Sequence, residues 1–204
     1  MSQLFRIHPV NPQKRLIKQA ADIIRENGIA VFPTDTTYGL GCQISNRKGV
    51  ERIMQIKNLP SNHQLSILVP DLSGISRYAR VNNQTYRLLK RFLPGPYTFI
   101  LDSTRDVPKS ILPKRKTIGL RMPDHPICLA LLQELEEPLL STSFRLPDED
   151  IQGDPDQIAE KINGRVELVI DGGILLEKPS TIVDLTKGYP IVLRVGSGSP
   201  DVFE

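Results

Sequence analysis

The stretch VFPTDTTYGLGC, residues 31–42, leaves an apolar run and turns at once to three threonines, an aspartate, a tyrosine and two glycines. Hydroxyls at Thr34, Thr36 and Thr37 can donate or accept hydrogen bonds, and glycine at 39 and 41 lets backbone come close to a ligand. Such a loop suits a small polar molecule; the competing reading is a threonine-rich turn capped by its own hydroxyls. Five further places offer cations or hydroxyls. Lys57 closes a helix in MQIKNLP, where a lysine also complements the helix dipole. In STSFRLP, residues 141–147, three hydroxyls precede Arg145, a set that binds phosphate or forms a solvated turn. Arg121 ends the apolar run of GLRMPDHP, placed for bidentate capture of a carboxylate or phosphate. KPSTIVDL puts Ser180 and Thr181 at a strand start, and VLRVG puts Arg194 at a strand end. Open sheets place ligands at strand termini, and these residues gather there. No P-loop, GxGxxG turn or Ser/His/Asp elbow occurs. With no obvious general base or nucleophile, chemistry here rests on positioning and electrostatics.

The elements that must hold these residues follow from spacing and breakers. Asn11-Pro12, helical spacing of Leu16, Ile17, Ala20, Ile23 and Ile24, and Gly28 define a helix over 12–27. IAVFP reads as a strand, RKGVERIMQIKNL as a helix and LSILV as a strand. Residues 71–79 and 83–92 read as helices, the second made basic by Arg87, Lys90 and Arg91. LPGPYTFIL turns into a strand, Thr117–Arg121 forms another, and a helix runs from Asp124 through DHPICLALLQEL. A strand near 138–142 precedes the acidic loop RLPDEDIQGDPDQ, read as a solvated connection rather than a lid, and then a helix over 155–162. VELVI, STIVDL and IVLRV supply three closing strands. This mixture predicts an α/β (α+β) fold: a twisted, open mixed sheet with helices packed on it.

At 204 residues and 39% hydrophobic composition, one domain over 1–204 with a real core is expected. No run approaches the ~18 apolar residues of a membrane helix, and MSQLFRIHPV lacks a secretory apolar segment, so a soluble cytoplasmic protein is expected. Cys42 and Cys128 are far apart, and His8, His63 and His125 make no ligand motif with them, so no metal site is expected. The net charge of +3 is unevenly spread: residues 1–130 carry 20 Lys+Arg against 8 Asp+Glu (+12), and residues 131–204 carry 6 against 15 (−9). The basic part either presents a face to an anion or interleaves with the acidic part and cancels.

Taken in order, GIAVFPTDTTYGLGC, IKNLP, LPGPYTFIL, IGLRMPDHP, PLLSTS, STIVDL and VLRVG resemble the YrdC family, and most of all its YciO branch, from about residue 28 to 196. The resemblance implies a concave, positively charged sheet surface. It also implies an activity: L-threonine, bicarbonate and ATP give threonylcarbamoyl-adenylate and pyrophosphate, for threonylcarbamoyladenosine modification of tRNA. By this likeness Thr34, Thr36 and Tyr38 hold threonine and Arg121 takes its carboxylate. Lys57, as the catalytic lysine, with Ser141, Ser143, Ser180 and Arg194, surrounds the ATP phosphates and ribose. Mg2+ arrives with ATP, and no tightly bound cofactor is implied.

Two positions depart from the family pattern, which reads Lys-x-Arg and later Ser-x-Asn: here Leu59 follows Lys57, and Arg145 follows Ser143. Losing a charge-assisted phosphate contact costs about 1.5–3 kcal/mol, which points to weakened or altered activity, unless Arg145 restores the charge from across the cleft. The other function class is binding of double-stranded or structured RNA without catalysis. That needs only arrayed cations, for which PKRK at 113–116 with Arg87, Lys90 and Arg91 are candidates.

Overall fold

Alternation along the strands decides the architecture. In TIGLR and YTFILD, large apolar residues alternate with Gly, Thr, Asp or Arg, so each strand offers one apolar face and one dominated by small or polar residues. The computed structural model describes residues 1–60, 63–108, 116–145, 153–175 and 178–203. In chain order the elements are β1 (Gln3–Arg6), α1 (Lys14–Arg25), β2 (Ala30–Phe32), β3 (Gly39–Gln43), α2 (Arg47–Ile56), β4 (Ser66–Leu68), α3 (Asn83–Phe92), β5 (Tyr97–Asp102), β6 (Thr117–Arg121), α4 (Pro126–Leu135), β7 (Leu139–Ser143), α5 (Pro155–Ile162), β8 (Leu168–Asp171), β9 (Thr181–Asp184) and β10 (Ile191–Arg194). The strands form one mixed sheet in the order β1-β8-β2-β3-β7-β4-β6-β5-β9-β10.

Helices cover the two faces unequally. On one face, α2, α3 and α5 press Val50, Ile53, Ile56, Leu89, Ile158 and Ile162 onto Val31, Leu40, Ile67, Phe99, Leu120 and Leu140. Burying each such side chain contributes about 1.5–3 kcal/mol, so this face is the main core. On the other face α1 and α4 form a smaller core over Ala30, Phe32, Leu139, Leu168 and Ile170. The register follows one row across that face: Leu168, Ala30, Gly41, Ser141, Ser66, Gly119, Ile100 and Asp184. Directly paired residues share a face, so the row passes from an apolar, helix-covered end to a floor of Ser, Gly and Asp.

Three expectations need correcting. Residues 71–79 form only a 3-10 turn at Ile75–Arg77. The Asp71 carboxylate accepts from the Ser73 N–H at 2.7 Å and its hydroxyl at 2.5 Å, a local turn that competes with a helix. Gln3–Arg6 is an edge strand that sequence reading passed over, parallel to β8. The segment read as the end of a loop, Gly39–Gln43, is a central strand antiparallel to both β2 and β7. A Cβ at Gly41 would lie 2.6 Å from the Leu140 carbonyl and 3.1 Å from the Phe32 ring. Close packing against its own chain, rather than approach of a ligand, is what requires glycine at 41.

Candidate functional site

The uncovered part of the sheet is the floor of an open cleft of about 1350 Å3. Thr34, Tyr38, Lys57, Arg121, Ser141, Ser143, Ser180 and Arg194 all line it, and Thr36 reaches it through Arg121. Residues scattered from 34 to 194 therefore meet in one place. Lys187 adds a fourth cation, and Asp184 is the one carboxylate among the described lining residues. Drug-sized ligands occupy roughly 300–1,000 Å3, so this cleft has room for two small molecules side by side.

At one seat the loop after β2 folds against the end of β6. Nη2 of Arg121 donates to Asp35 Oδ1 at 2.5 Å, to Thr36 Oγ1 at 2.6 Å and to Thr34 Oγ1 at 3.2 Å. The Thr34 hydroxyl also donates to the Thr37 carbonyl at 2.5 Å and accepts from the Thr36 and Thr37 N–H groups at 3.3 Å. The turn is thus capped by its own hydroxyls, as the second reading of the threonines has it, while it also lines the cleft. Arg121, expected to be free for a ligand carboxylate, is ion-paired with Asp35 of its own chain. Sequence reading missed Asp35 because its partner is 86 residues away and meets it only through the sheet.

The second seat has a different construction. Lys57 is the C-cap of α2, and Asn58 follows in left-handed backbone at φ 49°. The Leu59 N–H returns to the Met54 carbonyl at 2.9 Å and the Asn58 N–H to that of Gln55 at 3.1 Å. This is a Schellman ending, whose second residue beyond the cap is commonly apolar, and Leu59 occupies that place. The motif aims Lys57 across the cleft mouth, where Nζ donates to the Ser143 carbonyl at 2.5 Å. Burial, then the neighbouring Arg145 charge, pushes the Lys57 ammonium down to about 8. His63, a lining residue the motifs did not signal, is also held below its ordinary range by burial and by Lys57.

At the far rim, Arg194 donates from Nη2 to the Ser180 carbonyl at 2.7 Å, and the Ser180 hydroxyl shares a 2.8 Å bond with Thr98. Burial, with Arg121 across the cleft, lowers the basicity of Arg194. Among the described residues, no carboxylate pairs with Lys57, Arg145 or Arg194. Tyr38, expected to offer its hydroxyl to a ligand, donates it to the Gly173 carbonyl at 2.7 Å and accepts from the Gly172 N–H at 3.2 Å. Burial raises that phenol well above its ordinary range, and its visible task is to hold the 172–173 turn beside the cleft.

The basic helix expected to join a concave RNA face does not lie there. Arg87, Lys90 and Arg91 are exposed on α3, which packs on the sheet face opposite the cleft. Residues 113–115 of PKRK and 146–152 of the acidic loop lie outside the described residues. No described helix is long and apolar enough to cross a membrane.

A twisted mixed sheet with one half-open face and a cation-ringed cleft defines a family, and comparison with known proteins identifies it: the chain belongs to the Sua5/YciO/YrdC family, whose model, described as telomere recombination, matches residues 22–196. Among its relatives, a Haemophilus influenzae protein is 49% identical and Escherichia coli YciO 48% identical, each aligned over the full length of both chains. The crystal structure of E. coli YciO superposes with a TM-score of 0.95 over all of both chains, at 47% identity. A threonylcarbamoyl-AMP synthase of Pyrococcus abyssi is 33% identical over 92% of this chain and 57% of its own. The crystal structure of P. abyssi Sua5 complexed with L-threonine gives a TM-score of 0.88, 31% identity, and coverage of 96% of this chain and 58% of that one.

Proposed function

We propose that this chain is a nucleotidyltransferase of the threonylcarbamoyl-AMP synthase type, with activity weakened or altered at Leu59. The carrying observation is the cleft itself: a floor of glycine and hydroxyl residues ringed by Lys57, Arg121, Lys187 and Arg194, with Asp184 as the single described carboxylate. L-Threonine's amino group would attack bicarbonate with loss of water. The resulting carbamate oxygen would attack the α-phosphate of ATP, forming threonylcarbamoyl-adenylate and releasing pyrophosphate. No step needs a covalent enzyme intermediate. Aligned reactants and cations on the transferring phosphoryl group supply the catalysis, which matches a cleft without a nucleophile. Arg121 with the Thr34–Thr36 turn would seat the amino acid, and Lys57, Arg145 and Arg194 the phosphates. A lone carboxylate makes a poor protein-built magnesium seat, so Mg2+ would enter bound to ATP.

The reading is tested by pyrophosphate release from ATP, magnesium and bicarbonate, with and without L-threonine, beside Lys57→Ala. Threonine-dependent release lost in the variant supports it; no release from folded protein with any of the twenty amino acids defeats it. A second reading, binding of tRNA or other structured RNA, is favoured by the exposed Arg87, Lys90 and Arg91. Since these lie behind the sheet, RNA affinity on this reading falls steeply with salt yet survives Lys57→Ala.

A further inference from the structure

Three buried polar atoms in the described residues have no hydrogen-bond partner: Arg121 Nε, Asp35 Oδ2 and His125 Nδ1. Asp35 is bonded to Arg121, His125 follows Arg121 by four residues, and the Asp35 charge acts on His125. His125 is 8% exposed and caps α4 without using its side chain. Buried polar atoms are rarely left unpaired, so a cluster with three of them is built for more than one arrangement.

Taking Arg121 as the carboxylate seat, which rests on the function proposed above, exposes a conflict. Bidentate capture of a carboxylate uses two guanidinium nitrogens, and every described bond of Arg121 leaves from Nη2, already taken by Asp35, Thr36 and Thr34. Either edge of the guanidinium that grips a carboxylate with two nitrogens, Nη1–Nη2 or Nε–Nη2, includes Nη2, so a ligand held that way displaces Asp35, and a buried carboxylate stripped of its cation is strongly disfavoured. We propose that Asp35 and His125 form a carboxylate-exchange relay beneath Arg121, in which the ligand takes the guanidinium and Asp35 passes to His125, protonated in the exchange. The charges balance: Arg121 and Asp35 are neutral together before binding, and Arg121, ligand, Asp35 and His125 are neutral together after it. One proton is taken up from solvent, and Asp35 Oδ2 and His125 Nδ1 become each other's partners.

The electrostatics suit this exchange. Burial keeps His125 below its ordinary range while Arg121 occupies Asp35, and Asp35 and Asp124 pull against that burial. Cys128 lies one turn along α4 from His125; its thiol is pushed up to about 12 by burial and stays neutral. Proton uptake makes amino-acid affinity fall as pH rises, by up to about tenfold per unit between the free and bound midpoints of His125.

Two measurements on the full chain test the relay. Calorimetric titration of L-threonine in buffers of differing ionisation heat should show uptake approaching about one proton, lost in His125→Asn. Binding without uptake overturns the relay and leaves the proposed function standing. In the second, NMR titration of the His125 imidazole needs no ligand. Arg121→Gln frees Asp35, so the His125 midpoint should rise by about one unit or more, and adding Asp35→Asn should cancel the rise. An unmoved midpoint overturns the relay. A risen midpoint in a protein that binds no threonine supports it and counts against the proposed substrate instead.

Discussion

Arg121 and Lys57 line the same cleft and are held in opposite ways. Arg121 has a carboxylate partner in its own chain, 2.5 Å from Nη2 and buried with it. Among the described residues Lys57 has only the Ser143 carbonyl, and its charged neighbour Arg145 repels it. A cation with an internal counter-ion is stable without ligand and releases its partner only to another carboxylate, which is a basis for selecting one. A cation held by a carbonyl keeps its field unneutralised, which favours a multiply charged anion. On the proposed function, the two positions would take different ligands because they differ in partner.

The sharpest way to break this comparison is to remove each cation in turn. Where His125 is neutral, Arg121→Ala strands Asp35 in the interior and should cost about 3–5 kcal/mol in urea denaturation, and less at a pH low enough to protonate His125. Replacing Arg121 and Asp35 together by leucines should recover most of that loss, because no buried charge remains unpaired. A small loss in the single variant would mean that Asp35 already has another partner.

Lys57→Ala should behave in the opposite sense. Its bond is to a main-chain carbonyl beside solvent, so stability should move by about 1 kcal/mol or less. Nucleotide affinity should fall by about ten- to a hundredfold, the scale of a lost hydrogen bond between charged groups. Equal losses of stability at both positions would erase the distinction between the seats.

A pH series sharpens the comparison further. Lys57 is charged below about 8 and neutral above it, so nucleotide affinity should be greatest at lower pH and weaken as pH rises through that value. Lys57→Arg, charged across the whole range, should flatten the profile. Persistence of the same slope in Lys57→Arg would assign it to another group.

How much of this was legible beforehand depends on which interactions are local. Spacing and breakers place α1, α3 and α5 within two residues, because helical periodicity and caps lie within one segment. The floor was not read: Ser66, Gly119 and Asp184 come from three separate strands and join Ser141 in one row only through the register. What stayed hidden depends on register. Glycine at 39 and 41 looks like loop until the Phe32 ring is laid beside them, and Asp35 looks like a turn residue until β6 brings Arg121 to it. The family resemblance supplied the cation set in advance, but not which cation already has a partner.

The smallest expected effect comes from Leu59→Arg. Leu59 completes the Schellman ending of α2, and its backbone bond to Met54 does not depend on its side chain, so the helix end should persist with a stability change of about 1 kcal/mol or less. The new guanidinium would stand two residues from Lys57 and next to Pro60, both of which line the cleft, and add a charge beside its mouth. If this seat takes phosphates, nucleotide affinity should rise a few-fold, the scale of a partly exposed charge pair, and the gain should shrink at high salt. Affinity for threonine should not change, because the Arg121 seat is neutral and screened by its own carboxylate. A variant that tightened both ligands equally would show that the two seats share one electrostatic field and that Asp35 does not insulate Arg121.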